Sequence, residues 1–236
     1  MTVYKIDPNP ETMHFITLTT VDWVDIFTKA IYFEILINSL KFCQKEKGLI
    51  IHAYVLMTNH SHMIVSCNPI PLGGSKKMLG GSFASDLRQS LENNGCSEAN
   101  GCSEAQLPRN IPVSLGGSCA SDQRKKQKPR LSQILQDFKR HTATEIFKEL
   151  QEDNRTYIQE ILMNQKSNKN EKFQLWQHDN HPIVIKSAKF VQQKLNYIHN
   201  NPVKKQYVEA PEHWLYSSAR NYYFDDHSVI KVDLIS

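Results

Sequence analysis

The stretch LIIHAYVLMTNHSHMIVSC, residues 49–67, predicts a β-hairpin. Two runs rich in Ile, Val and Leu are separated by residues 58–59, which suit a tight turn. Side chains alternate along a strand, so we expect His60 and His62 to project from one face and their neighbours from the other. Two adjacent imidazoles can share a divalent ion, and a pair of histidines without a ligand is the alternative that this spacing leaves open.

The segments on either side of the hairpin predict the remaining elements of an α+β fold. In chain order they are a strand at 14–21, a helix at 30–48, the hairpin, a helix that begins near residue 131, a strand at 181–186 and a helix from about 188 to 200. This order predicts ferredoxin-like topology, that is, an antiparallel four-stranded sheet with helices on one face. The last helix is extra to that topology.

Residues 68–129 differ in composition from the rest of the chain. Eight of the nine glycines lie in this segment, and the octapeptide LGGSFASD recurs within it as LGGSCASD. Such a segment offers little apolar surface to offset the entropy lost on ordering, so we expect a flexible, low-complexity insert. The predicted organisation is one domain, formed by residues 1–67 and 130–236, that this insert interrupts.

Bulk composition indicates a globular protein of the cytoplasm. The chain has 236 residues, 40% of them hydrophobic, and a net charge of +4, which is compatible with a polyanionic partner. Its five cysteines are odd in number and have no CxxC spacing, which argues against a disulfide framework and favours a reducing compartment. The amino terminus has no signal-peptide pattern and no apolar run reaches membrane-spanning length, so we expect no membrane partner.

The predicted carboxy-terminal helix presents a tyrosine away from its apolar stripe. The stripe consists of Val191, Leu195 and Ile198. Tyr197 projects about 100° from it and shares a second stripe with Lys194 and Asn201, although Asn201 precedes a proline, which disfavours helical geometry. A phenol is a poor nucleophile until a base or a metal activates it, after which it can attack a phosphodiester. A tyrosine that packs its ring and leaves its hydroxyl in water is the alternative.

Taken together, these motifs resemble a known family. The segments NHSHMIV (59–65), YIHNNPV (197–203) and LYSSARNYY (215–223) are similar to those of the HUH single-tyrosine transposases, specifically the bacterial REP-associated tyrosine transposases. HFITLTTVDWVDIF (14–27) and LSQILQDFKRHTATEI (131–146) fit the same group. The resemblance covers about residues 12–67 and 130–224, which is nearly everything outside the insert.

The resemblance implies a reaction and a set of roles. Members of the family use Mg²⁺ or Mn²⁺ to cut and rejoin single-stranded DNA next to hairpins, and they act as monomers or as homodimers. Carried over to this sequence, His60 and His62 would be metal ligands, Asn201 a third metal-side residue, and Tyr197 the nucleophile that forms a 5′-phosphotyrosine. Such an enzyme would be cytoplasmic and associated with the nucleoid when bound to DNA. Gln206 departs from the family, which usually has glycine at this position.

Cations near these motifs are candidates for DNA contacts. They are Lys194, Lys204 and Lys205 around the Tyr197 helix, with Lys139 and Arg140 on the preceding helix. A solvated charged face is the alternative for each of them. The rings considered for base stacking are Trp176, Trp214, Tyr216, Tyr222 and Tyr223. Two functions compete with the transposase: a catalytically idle single-stranded nucleic-acid-binding protein on the same fold, and a protein whose histidines hold structural zinc, which lacks the usual four-ligand cluster.

Overall fold

A four-stranded antiparallel sheet organises the computed structural model, which describes residues 6, 7, 9, 11–68, 131–165, 172–179 and 182–235. Its strands are β1 (His14–Thr19), β2 (Leu49–Leu56), β3 (His60–Cys67) and β4 (Ile183–Val184). They pair in the order β2-β3-β1-β4, and every pairing is antiparallel. This order confirms the predicted ferredoxin-like topology, with the predicted hairpin forming β2 and β3.

Six α-helices accompany the sheet in the described part of the chain. They are α1 (Ala30–Lys47), α2 (Leu131–Glu152), α3 (Thr156–Asn164), α4 (Ala188–His199), α5 (Asn201–Lys204) and α6 (Ala219–Phe224). The sequence patterns above predict α1, α2 and α4 but not α3. Helix α1 ends where glycine is needed, because Gly48 has φ 73° and its N–H donates to the Cys43 carbonyl.

Two apolar cores lie on opposite faces of the sheet. On the first face, Ile16 of β1 and Met63 of β3 pack with buried residues of α1, α2 and α3. On the second face, Phe15 of β1 and Ile64 of β3 pack with the apolar stripe of α4. A β-bulge at His52 shifts the register of β2. The extra helix predicted at the carboxy-terminal end therefore covers the face that α1 and α2 leave open.

Proline determines where α4 ends. The helix begins after Ser187, whose hydroxyl accepts a hydrogen bond from the Phe190 N–H at 3.3 Å. It ends at His199, close to the predicted position, because Pro202 has no N–H to donate to the preceding turn. The short helix α5 follows at once, so Asn201 stays one turn beyond Tyr197 although it precedes a proline.

Gln206 occupies a backbone conformation that favours glycine. Its φ is 60°, and its N–H donates to the Val203 carbonyl while the Tyr207 N–H donates to the Pro202 carbonyl. These two bonds form the Schellman motif that commonly ends a helix. The departure from glycine noted in the sequence is therefore a left-handed residue that carries a Cβ atom.

The predicted insert at 68–129 lies outside the described residues, apart from Asn68. The domain boundaries at 1–67 and 130–236 stay a prediction. None of the helices in the described ranges is long and apolar enough to cross a membrane.

Replacing Gln206 with glycine should stabilise the protein. We expect Gln206→Gly to raise the free energy of unfolding by about 1 kcal/mol, because glycine adopts positive φ without a steric cost. Denaturant unfolding monitored by circular dichroism would measure the difference. Lys205→Gly is the matched control, since Lys205 has φ −85° and glycine there should lower stability. A Gln206→Gly variant no more stable than the parent would contradict the interpretation.

Candidate active site

His60 and His62 lie side by side on the sheet face that α4 covers. Their ring centroids are 4.9 Å apart, and both residues are buried, with 6% and 5% of their surface exposed. This position follows from the alternation of side chains along β3. Ile64, on the same face as the histidines, packs against α4, while Met63 enters the opposite core. Two imidazoles are thus held in a mostly dry setting.

Asn59 fixes the protonation pattern of the His60 ring. Its Nδ2 donates to the Trp23 carbonyl at 3.0 Å, so its Oδ1 is the atom that lies 2.7 Å from Nδ1 of His60. An amide oxygen only accepts, and Nδ1 of His60 must therefore carry the proton. The lone pair of the neutral ring is then on Nε2, where a metal ion or a proton can bind.

His62 connects β1 to the tyrosine of α4. Its Nδ1 is 2.9 Å from the hydroxyl of Thr17, which is paired with His62 across the β1–β3 ladder. Its Nε2 is 3.3 Å from the hydroxyl of Tyr197. The Phe15 ring stacks on the imidazole with centroids 5.5 Å apart. The structure thus brings Tyr197, which is 38% exposed, to the histidine pair.

Burial keeps both imidazoles neutral. It is the main reason that the pKa of His60 is lowered to about 4; the Lys205 charge contributes in the same direction, and the Asn201 side chain acts in the opposite one. Burial likewise lowers the pKa of His62 to about 3, with added effects from the charges of His60 and Lys194. Neutral imidazoles are the form that binds metal ions, and no proton has to be displaced at neutral pH.

Asn201 contributes an unused acceptor beside the histidines. The residue is 7% exposed, and its Oδ1 has no hydrogen-bond partner within the described ranges. Its side chain is near enough to His60 to raise the pKa of that imidazole, but the approach lacks the geometry of a hydrogen bond. A buried amide oxygen without a partner is costly, and a cation would satisfy it.

These three residues fit a divalent metal ion. Each imidazole can offer a nitrogen, Asn201 can offer an oxygen, and open positions would remain for water or substrate. In the described part of the chain, no three or more His, Cys, Asp or Glu residues cluster as a metal site. The amide of Asn201 can then supply a third ligand, and the described residues do not provide the four-ligand cluster of a closed structural zinc site.

Lysines surround the Tyr197 ring. The ammonium groups of Lys194 and Lys204 each lie 5.6 Å from its centroid, and that of Lys194 is also 4.2 Å from the centroid of Phe15. An open cleft of about 330 Å³ borders the tyrosine. It is lined by Gln193, Lys194, Asn196, Tyr197, Asn200 and Lys204. The charge of Lys205 acts on His60, so positive charge lies around both the tyrosine and the histidines.

The structure does not bring Lys139 and Arg140 to this cluster. Both lie on α2, whose apolar side packs on the opposite sheet face. The ammonium of Lys139 donates to the Gln177 carbonyl at 2.6 Å, and Arg140 pairs with Asp137 at 2.7 Å. Their predicted role in DNA binding therefore has no support from the geometry of Tyr197 and the histidines.

Most of the rings considered for base stacking make contacts within the protein. Trp176 is buried, Trp214 donates to the Leu56 carbonyl, and Tyr222 donates to the His52 carbonyl. Tyr216 stacks on Phe33 with centroids 3.8 Å apart, and Tyr223 is exposed near His199.

Sequence reasoning missed three residues that support the histidines: Thr17, Asn59 and Trp23. The alternation of β1 places Thr17 on the face of Phe15, and the strand register needed to pair it with His62 comes from the folded sheet. Asn59 adjoins His60 in the sequence, which is the signal that could have found it.

Comparisons with known proteins add a likeness of fold. The sequence matches no protein-family model, and no curated protein sequence is significantly similar to it. Among solved structures, it is similar to a REP-associated tyrosine transposase bound to a REP hairpin, with 16% identity, a TM-score of 0.47 and coverage of 100% of both chains. At this level of similarity, function has to be inferred from the side chains of the site.

Acidification should destabilise the protein through its buried histidines. His199 is also buried, its Nε2 lies 2.9 Å from the Ser218 hydroxyl, and burial lowers its pKa to about 4. Between the ordinary value of 6.5 and this folded value, the unfolded chain binds a proton that the folded chain does not. Stability should therefore fall as pH falls, by up to about 1.4 kcal/mol per pH unit for each such histidine.

Denaturant unfolding at pH 7, 6 and 5 would measure this slope. We expect His199→Gln to make the slope shallower by the contribution of one proton, because glutamine does not titrate. His213→Gln is the control at an exposed position. An unchanged slope in His199→Gln would show that the folded state does not hold this imidazole neutral.

Proposed function

We propose that this protein is a metal-dependent transposase-type nuclease that cleaves and rejoins single-stranded DNA next to hairpins. The observation that carries the proposal is the position of the Tyr197 hydroxyl, 3.3 Å from Nε2 of His62 on a helix packed against the two histidines. A potential nucleophile, two neutral imidazoles and a surrounding set of lysines are the groups that phosphodiester cleavage requires. The likeness of the motifs at 59–65 and 197–203 to HUH transposases supports the same reaction.

Each group has a distinct role in this proposal. His60, His62 and Asn201 would hold Mg²⁺ or Mn²⁺, with Asn59 and Thr17 keeping the two rings oriented. Such an ion, when bound, would polarise the scissile phosphate and offset the charge that develops on it. Because one lone pair on Nε2 of His62 cannot serve both a cation and the tyrosine, the hydroxyl would be released toward the substrate.

The covalent step keeps the energy of the phosphodiester bond in the bond between Tyr197 and DNA. The Tyr197 oxygen forms a bond to phosphorus, and the bond from phosphorus to the 3′ oxygen breaks. The phenolic proton passes to solvent, and the 3′ oxygen takes up a proton from solvent. The products are a 5′-phosphotyrosine and a free 3′-hydroxyl. Attack of a 3′-hydroxyl on the phosphotyrosine reverses the step and rejoins DNA, so no nucleotide cofactor is required.

Lys194, Lys204 and Lys205 would bind the DNA backbone around the reacting phosphate. Two of them flank the tyrosine ring, and the third lies close enough to lower the pKa of His60. We place this activity in the cytoplasm, at the nucleoid, and the resemblance allows either a monomer or a homodimer.

An idle nucleic-acid-binding protein is the second candidate function. The observation that favours it is that only two residues of the usual metal-binding types meet at the site within the described ranges, which would leave Tyr197 with no activating ion. This candidate predicts binding to single strands that is insensitive to metal ions and to the tyrosine hydroxyl.

A covalent adduct would distinguish the two functions. Purified protein would be mixed with hairpin oligonucleotides from the DNA flanking its own gene and with a pool of hairpins that carry randomised flanks, in Mn²⁺ or in EDTA. We expect an adduct on a denaturing gel only with Mn²⁺, and its loss in Tyr197→Phe and in His60→Ala. Tyr223→Phe, at another exposed tyrosine, is the control that should keep it. DNA binding without any adduct would favour the idle protein.

Metal binding can be measured separately from DNA cleavage. We expect the protein to bind Mn²⁺ without DNA, and Asn201→Ala to weaken this binding by at least about tenfold, because it removes the third ligand. Electron paramagnetic resonance of free Mn²⁺ would give the affinity. The neighbouring variant Asn200→Ala is the control, since the Asn200 side chain donates to the Asn196 carbonyl instead. Equal affinity in Asn201→Ala and the parent would remove Asn201 from the site.

A further inference from the structure

We propose that Trp23 is a stacking platform for the nucleobase that adjoins the reacting phosphate. This inference rests on the proposed function and identifies how the strand is positioned at the same site. Trp23 lies in a tight turn, Val21–Trp23, between β1 and α1. No pattern in the sequence distinguishes Trp23 from its neighbours Val21, Ile26 and Phe27, which are core residues.

The exposure of Trp23 is the first observation. The residue is 58% exposed, whereas Trp176 is 4% exposed. Its ring meets the edge of the His60 imidazole, with centroids 5.9 Å apart and an interplanar angle of 61°. Much of its surface thus remains in water directly beside the histidine pair, where it is available to a ligand.

The backbone that presents the ring is strained. Asp22 has φ 51° and Trp23 has φ 55°, so two consecutive residues with Cβ atoms lie in the left-handed region. Hydrogen bonds hold them there: the Trp23 N–H donates to the Thr20 carbonyl at 3.3 Å, and Gln165 Nε2 donates to Asp22 Oδ2 at 2.6 Å. The backbone that carries the ring is therefore ordered before any ligand arrives, which reduces the entropy lost on binding.

Asn59 connects this turn to the histidines. Its amide donates to the Trp23 carbonyl and accepts from His60 Nδ1, so one side chain connects the backbone of Trp23 to the first imidazole. Its main-chain carbonyl accepts from both the N–H and the hydroxyl of Thr20, at the start of the same turn. The turn and β3 thus form one hydrogen-bonded unit.

Four rings form a continuous row across the site. Centroids are separated by 5.9 Å from Trp23 to His60, 4.9 Å from His60 to His62, and 5.0 Å from His62 to Tyr197. A phosphate at the imidazoles would have the tyrosine on one side and the indole on the other. Aromatic faces bind single-stranded bases by stacking without sequence preference, and Trp23 is the more exposed of the two rings at the ends of this row.

The test measures binding without relying on cleavage. A fluorescein-labelled oligothymidylate would be titrated with the parent, Trp23→Ala, Trp23→Phe and Tyr157→Ala, and the dissociation constants read by anisotropy. Tyr157 is the matched control, because its exposed ring lies on α3. We expect Trp23→Ala to raise the dissociation constant about 5- to 100-fold, Trp23→Phe to recover part of the loss, and Tyr157→Ala to change nothing. Thermal unfolding would verify that the variants fold.

A second measurement locates the base. In an oligonucleotide that forms the covalent adduct, an abasic residue would replace each nucleotide beside the cleavage position in turn. One such position should weaken binding to Tyr197→Phe protein and have no further effect when Trp23→Ala is also present. Equal affinity of the parent and Trp23→Ala, or abasic effects unchanged by Trp23→Ala, would overturn the inference.

The outcomes separate the inference from the proposed function. An adduct together with unaltered binding by Trp23→Ala would refute the stacking role alone. Binding that depends on Trp23 without any adduct would refute the nuclease and support the stacking role. A parent protein that binds no single strand would refute both.

Discussion

Packing of α4 against the second face of the sheet is the constraint on which the site depends. Val191, Leu195 and Ile198 are each at most 8% exposed, and burying side chains of this size contributes roughly 1.5–3 kcal/mol apiece. The contact between Tyr197 and His62, at 3.3 Å, contributes about 1 kcal/mol or less. Apolar packing therefore places the tyrosine, and the polar contact only adjusts its hydroxyl. The sheet has a free face for this helix because α1 and α2 cover the other one.

The site combines two neutral imidazoles with positively charged lysines around them. The dry environment that lowers the pKa of both imidazoles also strengthens any charge interaction made there. Lys204 and Lys205 are exposed, so they can attract a polyanion at little desolvation cost. Burial lowers the pKa of Lys194, whose ammonium lies over the Phe15 ring. In the proposed reaction, a cationic rim around neutral imidazoles would favour a phosphate more than a free metal ion, so substrate and cation would support each other's binding.

The periodicity of the sequence predicted which face of a strand or helix each site residue occupies. The two-residue repeat of β3 put His60 beside His62, and helical spacing put Tyr197 outside the apolar stripe of α4, which is where the structure has them. The strand and helix order gave the topology for the same reason. The sequence did not predict the position of Trp23, because its outward position arises from a positive φ and from a hydrogen bond to Asn59. Both depend on the tertiary structure. Lys139 is the opposite case: its charge is visible in the sequence, but only the folded structure brings the Gln177 carbonyl to its ammonium group.

The direction of β3 determines how far from the histidines the strand ends. His60 begins this strand and Cys67 ends it, so the chain leaves the sheet about 24 Å from the first imidazole, at the usual rise of a strand. Asn68 is tied to the end of α1 through the Gly48 carbonyl, and Leu131, the first residue of α2, is buried. The pairings that set the register of β3 and the apolar contacts of α4 are made by described residues outside 69–130. A tag inserted between Asn68 and Leu131 would therefore replace none of the residues that make these contacts.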